Sequence, residues 1–167
     1  MIGAVVLAAG AATRFGSPKQ AITLPSVLAA LAASPVEDIV VVTGAHALDA
    51  EGARVVQCVE WARGPGASLR CGLRALPEDA EAAVVVLADG PWLASAAVER
   101  VLEAWREGGE IVAASYGGER GHPVVLGRAA WDEIPDEGAR SLPARLVPCD
   151  DIGSPGDVDT PADLSSG

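Results

Sequence analysis

Seven consecutive apolar residues, Ala82–Ala88, carry three valines at their centre and stand between the acids Glu81 and Asp89. The run is too short for a helix of ordinary length, and its β-branched residues favour a strand. Because no polar residue alternates through it, both faces of that strand must be covered. Comparable runs recur at Gly3–Ala9, Ile39–Val42, Val55–Cys58, Ile111–Ser115, Pro123–Leu126 and Leu146–Cys149. Helix-like stretches lie between them at Ser26–Ala33, Ala67–Leu76, Ser95–Glu107 and Arg128–Ile134, with Ser95 expected as an N-cap and Gly108-Gly109 as a stop. Such alternation predicts an α/β fold: a single domain over residues 1–167, built as a three-layer sandwich with a mostly parallel sheet and helices on both faces. Ligands are then expected where loops leave the carboxyl ends of the strands. The glycine-rich interval Tyr116–Gly121 predicts an antiparallel connection, and the polar segment Ser154–Gly167 is expected to fray.

Charge narrows the function classes. Lys and Arg total 12 against 23 Asp and Glu, and a net charge of -11 opposes general nucleic-acid binding, which needs a basic surface. No apolar run exceeds seven residues, far below the roughly 18 that a membrane helix requires. Met1 leads straight into a strand-like run, so no signal peptide is expected. Cys58, Cys71 and Cys149 are odd in number and lack C-x-x-C spacing, which predicts neither a disulfide framework nor a structural zinc site. The expectation is a cytoplasmic protein with buried thiols.

The first 36 residues reverse the sign of the whole. They contain no acid, yet carry Arg14 and Lys19, the sole lysine. From Val5 to Lys19 the chain passes from the first strand into a loop of small residues ending in cations; small side chains let backbone N–H groups approach a phosphate, and Arg14 and Lys19 supply charge to neutralise it. Two readings stand at this point, an anion pocket or a plain alanine-rich loop with solvated charges. The loop is not a Walker A motif, because Gly10 and Lys19 are nine positions apart and no Ser or Thr follows the lysine.

The pattern L-A-A-G-x-x-x-R-x-G-x-x-K at Leu7–Lys19 resembles the signature of the nucleoside-triphosphate transferases related to molybdenum cofactor cytidylyl- and guanylyltransferases. The resemblance extends through Trp61, Gly64, Ser68 and Leu69 (W-x-x-G-x-x-x-S-L) and through Leu87-Ala88-Asp89-Gly90-Pro91 (L-x-D-x-P). It continues in the same order through Gly121-His122-Pro123, Gly138-Ala139-Arg140 and Asp157-Val158-Asp159. It implies a Rossmann-like fold of the nucleotide-diphospho-sugar-transferase type, nucleotide contacts at Leu7–Ala11, Arg14, Lys19 and Ser68, and catalytic roles for Arg14, Lys19 and Asp89. It also implies Mg²⁺ held by Asp89 and Asp157, with Asp159 as the alternate. Ala8-Ala9-Gly10, where the guanylyl branch has A-G-G, and the G-A-R segment point to CTP.

Asp89 at the end of an apolar strand is well placed for such a cation, since Mg²⁺ takes one or two carboxylates beside substrate phosphates and waters. The implied reaction is attack by a phosphate-monoester oxygen of a molybdopterin-type acceptor on the α-phosphorus of the nucleotide, expelling pyrophosphate. A molybdoenzyme partner would receive the product. His46 and His122 lie 76 residues apart and form no catalytic pair; His122 is open to a structural role or to contact with the acceptor. Two features depart from the family pattern: the segment between Lys19 and Ile39 is short, and Gly90 replaces a customary glutamine. They keep two other readings alive, a nucleotidyltransferase for another phosphorylated small molecule and an inactive cofactor-binding or insertion chaperone.

Overall fold

The computed structural model describes residues 1–8, 20–45, 50–90 and 93–152, with the backbone alone at 20–22. The elements run β1 (Ile2–Ala8), α1 (Gln20–Ala32), β2 (Asp38–Thr43), β3 (Arg54–Gln57), α2 (Pro65–Ala75), β4 (Ala82–Leu87), α3 (Ser95–Glu107), β5 (Ile111–Tyr116), β6 (Glu119–Gly127) and β7 (Arg145–Pro148). Short 3₁₀ turns stand at Trp61–Arg63, Arg128–Glu133 and Ala139–Ser141.

One sheet orders the strands β3-β2-β1-β4-β6-β5-β7. Strands β1 to β4 pair in parallel, β6 is antiparallel to both β4 and β5, and β7 is parallel to β5. The apolar runs are the strands covered on both sides. In β1, Ala4 and Val6 face a core shared with Leu24, Val27 and Leu31 of α1 and Val98, Val101 and Leu102 of α3. Val5 faces the opposite core, with Leu69 and Leu73 of α2 and Trp131. Helices therefore cover both faces, as the sequence predicts. Gly117 and Gly118 join β5 to β6 with φ of 61° and 82°, the left-handed pair that a tight hairpin turn demands.

Four expectations need correction. Helix α1 begins at least six residues before Ser26 and runs through Pro25, whose missing N–H costs the helix one bond without ending it. Ser95 is the first helical residue; Ala94 occupies the cap position and contributes no side-chain bond. The helix expected at Arg128–Ile134 is a 3₁₀ turn, Arg128–Glu133. Cys58 and Cys71 are joined in a disulfide, because the end of β3 and the middle of α2 bring their Cα atoms to 5.9 Å. Cys149 alone remains a buried thiol. Among the described residues no helix is long and apolar enough to cross a membrane.

The amino-terminal turn of α2 is wedged against a distant loop. The Gly66 N–H donates to the Asp136 carbonyl at 2.8 Å, and a Cβ at Gly66 would come within 1.6 Å of the Pro135 carbonyl oxygen. Backbone cannot yield as a side chain does, so Gly66→Ala should destabilise the protein by about 1–3 kcal/mol, the usual cost of overpacking. Equilibrium urea unfolding measures this, and an unchanged midpoint would show that the loop moves freely.

Candidate functional site

Strands β1 and β4 lie side by side and end together, with Leu7 paired to Leu87. The ladder continues one step beyond, as the Ala88 N–H donates to the Leu7 carbonyl at 3.0 Å. The hydroxyl of buried Thr23 donates to the Ala88 carbonyl, which ties α1 to the same point. The strand that follows β1 in sequence, β2, lies on one side of it, whereas β4 lies on the other. That divergence is the topological switch point at which open α/β sheets bind ligands.

A cleft of about 590 Å³ opens here, with Leu7, Leu87 and Gly90 on one side and residues of β6 and the 137–140 loop on the other. Arg120, near the start of β6, donates from Nη1 to the Leu142 carbonyl at 2.7 Å and from Nη2 to the Ala139 carbonyl at 3.1 Å. The short turn carrying Arg140 is thereby fastened to the sheet. Burial, and then the neighbouring Arg140, lower the pKa of Arg120. His122 is pushed down to about 4, first by burial and then by the charges of Arg140 and Arg120, against an opposite pull from Asp89. Its imidazole is neutral at physiological pH. The Tyr116 hydroxyl donates to the His122 carbonyl at 3.0 Å, and burial is the main cause that raises its pKa to about 12.

Asp89 is partly buried in the turn after β4 and is close enough to act electrostatically on His122. Among the described residues no group of three or more His, Cys, Asp or Glu side chains could hold a metal. A divalent cation sharing one or two carboxylates with substrate phosphates needs no such group, and Asp89 offers the hard oxygen it prefers.

Of the residues expected in the site, Leu7 lines the cleft, while Ala8 is buried in the core at the end of β1. Ser68 is 2% exposed inside α2 and does not line the cleft, although Pro65 and Leu69 of that helix do. Ala9, Gly10, Ala11, Arg14, Lys19, Asp157 and Asp159 lie outside the described residues, as does His46. Arg120 escaped sequence reasoning. Its signal was an arginine immediately before Gly121-His122-Pro123 in a chain poor in cations.

Residues 4–148 match the family model of the MobA-like NTP transferase domain. No curated protein is significantly similar in sequence. Among solved structures, Rv0371c from Mycobacterium tuberculosis is 27% identical with a TM-score of 0.81, the similarity covering 99% of this chain and 96% of that one. A second crystal structure of that protein is a complex with manganese. A nucleotidyl transferase from Methanothermobacter is 20% identical with a TM-score of 0.79, covering 99% and 95% of the two chains. The CMP:2-keto-3-deoxy-manno-octonic acid synthetase complexed with CTP shares the fold at 13% identity and a TM-score of 0.70, covering 99% and 95%.

The depressed pKa of His122 carries a signed consequence for stability. The unfolded imidazole takes up its proton near pH 6.5 and the folded one only near 4, so the unfolded state binds more protons between those values. Stability should fall as pH drops from about 6.5 to 4, and His122→Gln should flatten that loss. An NMR titration of the imidazole, assigned with the same variant, should give a midpoint near 4. A midpoint close to the ordinary histidine value would contradict the burial and charge arrangement described here.

Proposed function

We propose that this chain, which belongs to the MobA-like NTP transferase domain family, transfers CMP from CTP to a molybdopterin-type cofactor and releases pyrophosphate. The observation that supports this most is the shared end of β1 and β4 at the switch point. The Leu7–Lys19 signature leaves one strand there and Asp89 leaves the other. Arg14 and Lys19 would bring the charge that a triphosphate needs, and the small residues Ala9, Gly10 and Ala11 would leave room for its phosphates beside the backbone.

An oxygen of the acceptor's phosphate monoester attacks the α-phosphorus, forming a new P–O bond while the bond to the β-phosphate oxygen breaks and pyrophosphate departs. The nucleophile is already ionised near neutral pH, so no general base is needed. His122, whose pKa is pushed down to about 4 chiefly by burial, is too weak a base to serve as one. Asp89 would hold a divalent cation, with Asp157 as its partner or Asp159 as the alternate. Such an ion, when bound, supplies charge neutralisation at the phosphates. We take it to be Mg²⁺, and the manganese complex of Rv0371c is in keeping with a divalent ion in this fold. Arg14 and Lys19 orient the triphosphate and stabilise charge that develops on the leaving group. Nucleoside triphosphates are cytoplasmic solutes, which favours that compartment, where a molybdoenzyme partner would take the product. Gly90 lines the cleft without a side chain and favours a second reading, the same chemistry on another phosphorylated acceptor.

Pyrophosphate release, assayed across the four nucleoside triphosphates with and without molybdopterin, tests the proposal. Asp89→Asn should lower turnover about 100-fold or more while the fold persists, and Lys19→Ala should do likewise. Near-normal turnover in either folded variant would remove that residue from the mechanism. Discrimination of CTP over GTP through one methyl group at Ala9 should reach roughly 10- to 200-fold. A preference for GTP in direct competition would reverse the base assignment and leave the transfer chemistry standing.

A further inference from the structure

We infer that Arg120 and Arg140 together seat the anionic group of the acceptor, a phosphate monoester, against the wall of the cleft formed by β6 and the 138–142 turn. The inference rests on the nucleotidyl-transfer reading and goes further by giving the acceptor a site, a charge and two named residues.

The disposition of the arginines supports it. In a chain of net charge -11, Arg54, Arg63, Arg70, Arg100, Arg106 and Arg145 each sit 2.5–3.6 Å from a carboxylate. Arg128 instead donates to backbone carbonyls and lies over the Trp131 ring, and Arg74 reaches the Cys71 sulfur at 3.6 Å; neither lines the cleft. Arg120 and Arg140 break this pattern inside the cleft. Among the described residues Arg120 bonds to backbone carbonyls alone, and no carboxylate forms an ion pair with either arginine. Glu119 and Glu137 also line the cleft, but both are exposed and neither is paired with the arginines.

Two guanidiniums held near each other without a counter-ion repel, and the cost is visible in Arg120, whose pKa is lowered in part by Arg140. A dianion placed between them would relieve that repulsion and offer oxygens to both forks. Arg120 is already immobilised by the Leu142 and Ala139 carbonyls, so little side-chain entropy is left to lose on binding. Arg140 is exposed and belongs to the same turn, free to close on the ligand. Neutral His122 beside them adds a hydrogen-bonding nitrogen without adding a third positive charge. Asp89 acts on His122 electrostatically, so the seat adjoins the acid assigned to the cation, as an attacking phosphate requires.

Phenyl phosphate serves as the acceptor probe, with binding followed by calorimetry on the full chain, and CTP with Mn²⁺ is measured in parallel. Arg140→Gln should weaken phenyl phosphate binding about tenfold or more, as expected for loss of a charge-assisted bond, while CTP binding stays within about twofold of wild type. Arg140→Lys should recover part of the loss. Arg106→Gln, which removes an ion-paired arginine outside the cleft, should change neither. Unchanged phenyl phosphate affinity in Arg140→Gln, or no saturable binding by the wild-type protein, overturns the inference. An equal loss for CTP also overturns it, because the arginines would then serve the triphosphate. If phenyl phosphate binds through Arg140 while no nucleoside triphosphate binds at all, the transfer reading fails and the anion seat survives.

Discussion

The parallel pairing of β1 with both of its neighbours fixes everything else in the molecule. Along one edge its residues match β2, from Gly3 opposite Asp38 to Ala8 opposite Thr43, and along the other they match β4. The chain can reach two parallel neighbours on opposite sides only by crossovers on opposite faces, since each crossover is right-handed. Helix α1 accordingly packs on one face and α2 on the other. A gap must then open above β1 and β4, and it does so over backbone with no free edge. The Ala88 N–H bond to the Leu7 carbonyl and the Thr23 bond to the Ala88 carbonyl make that floor rigid. Chemistry can vary in the loops because the floor does not.

Over this floor the electrostatics run against the composition. A protein of net charge -11 repels anions at long range, so any attraction for them must come from cations held close together. The first 36 residues carry Arg14 and Lys19 with no acid among them, and the cleft is lined by Arg120 of β6 and Arg140 of the Ala139–Ser141 turn. Among the described residues acids at the surface pair instead with Arg54, Arg63, Arg70, Arg100, Arg106 and Arg145. Arg63 and Arg70 both meet Asp136, whose carboxyl is held below its usual range chiefly by Arg70.

The strands β1 and β4 were legible in the sequence because burial on both faces writes itself as an unbroken apolar run. The edge strand β3 was legible in position but less so in character, since Val55 is 42% exposed and its alternation is weak. The sequence pattern starts α1 at Ser26, whereas the packing of Leu24 and Val27 into the core carries the helix back through Pro25. The disulfide had no local sign at all. Cys58 and Cys71 are 13 residues apart, and their meeting depends on how β3 turns into α2. Asp89 could be found because it terminates a strand. Arg120 could not be assigned a role, because its partners, the carbonyls of Ala139 and Leu142, come from a turn some twenty residues onward.

That turn is anchored by contacts that reach back to α2 and β6. Arg70 of α2 donates to the Ile134 carbonyl at 2.6 Å and to Asp136, and Gly66 donates to the Asp136 carbonyl, so residues 134–136 are pinned to the helix. Helix α2 is in turn bonded to the end of β3 through Cys71. The wall bearing Arg140 therefore draws its position from α2 and β6, whereas the Leu7–Lys19 segment departs from β1. Substitutions at the exposed positions of the 137–142 turn can reshape this wall of the cleft without moving β1 or β4, provided that Gly66 and Asp136 keep their contact. A wall held to the sheet and to α2 at this many points can change its exposed side chains, Arg140 among them, without loosening the floor.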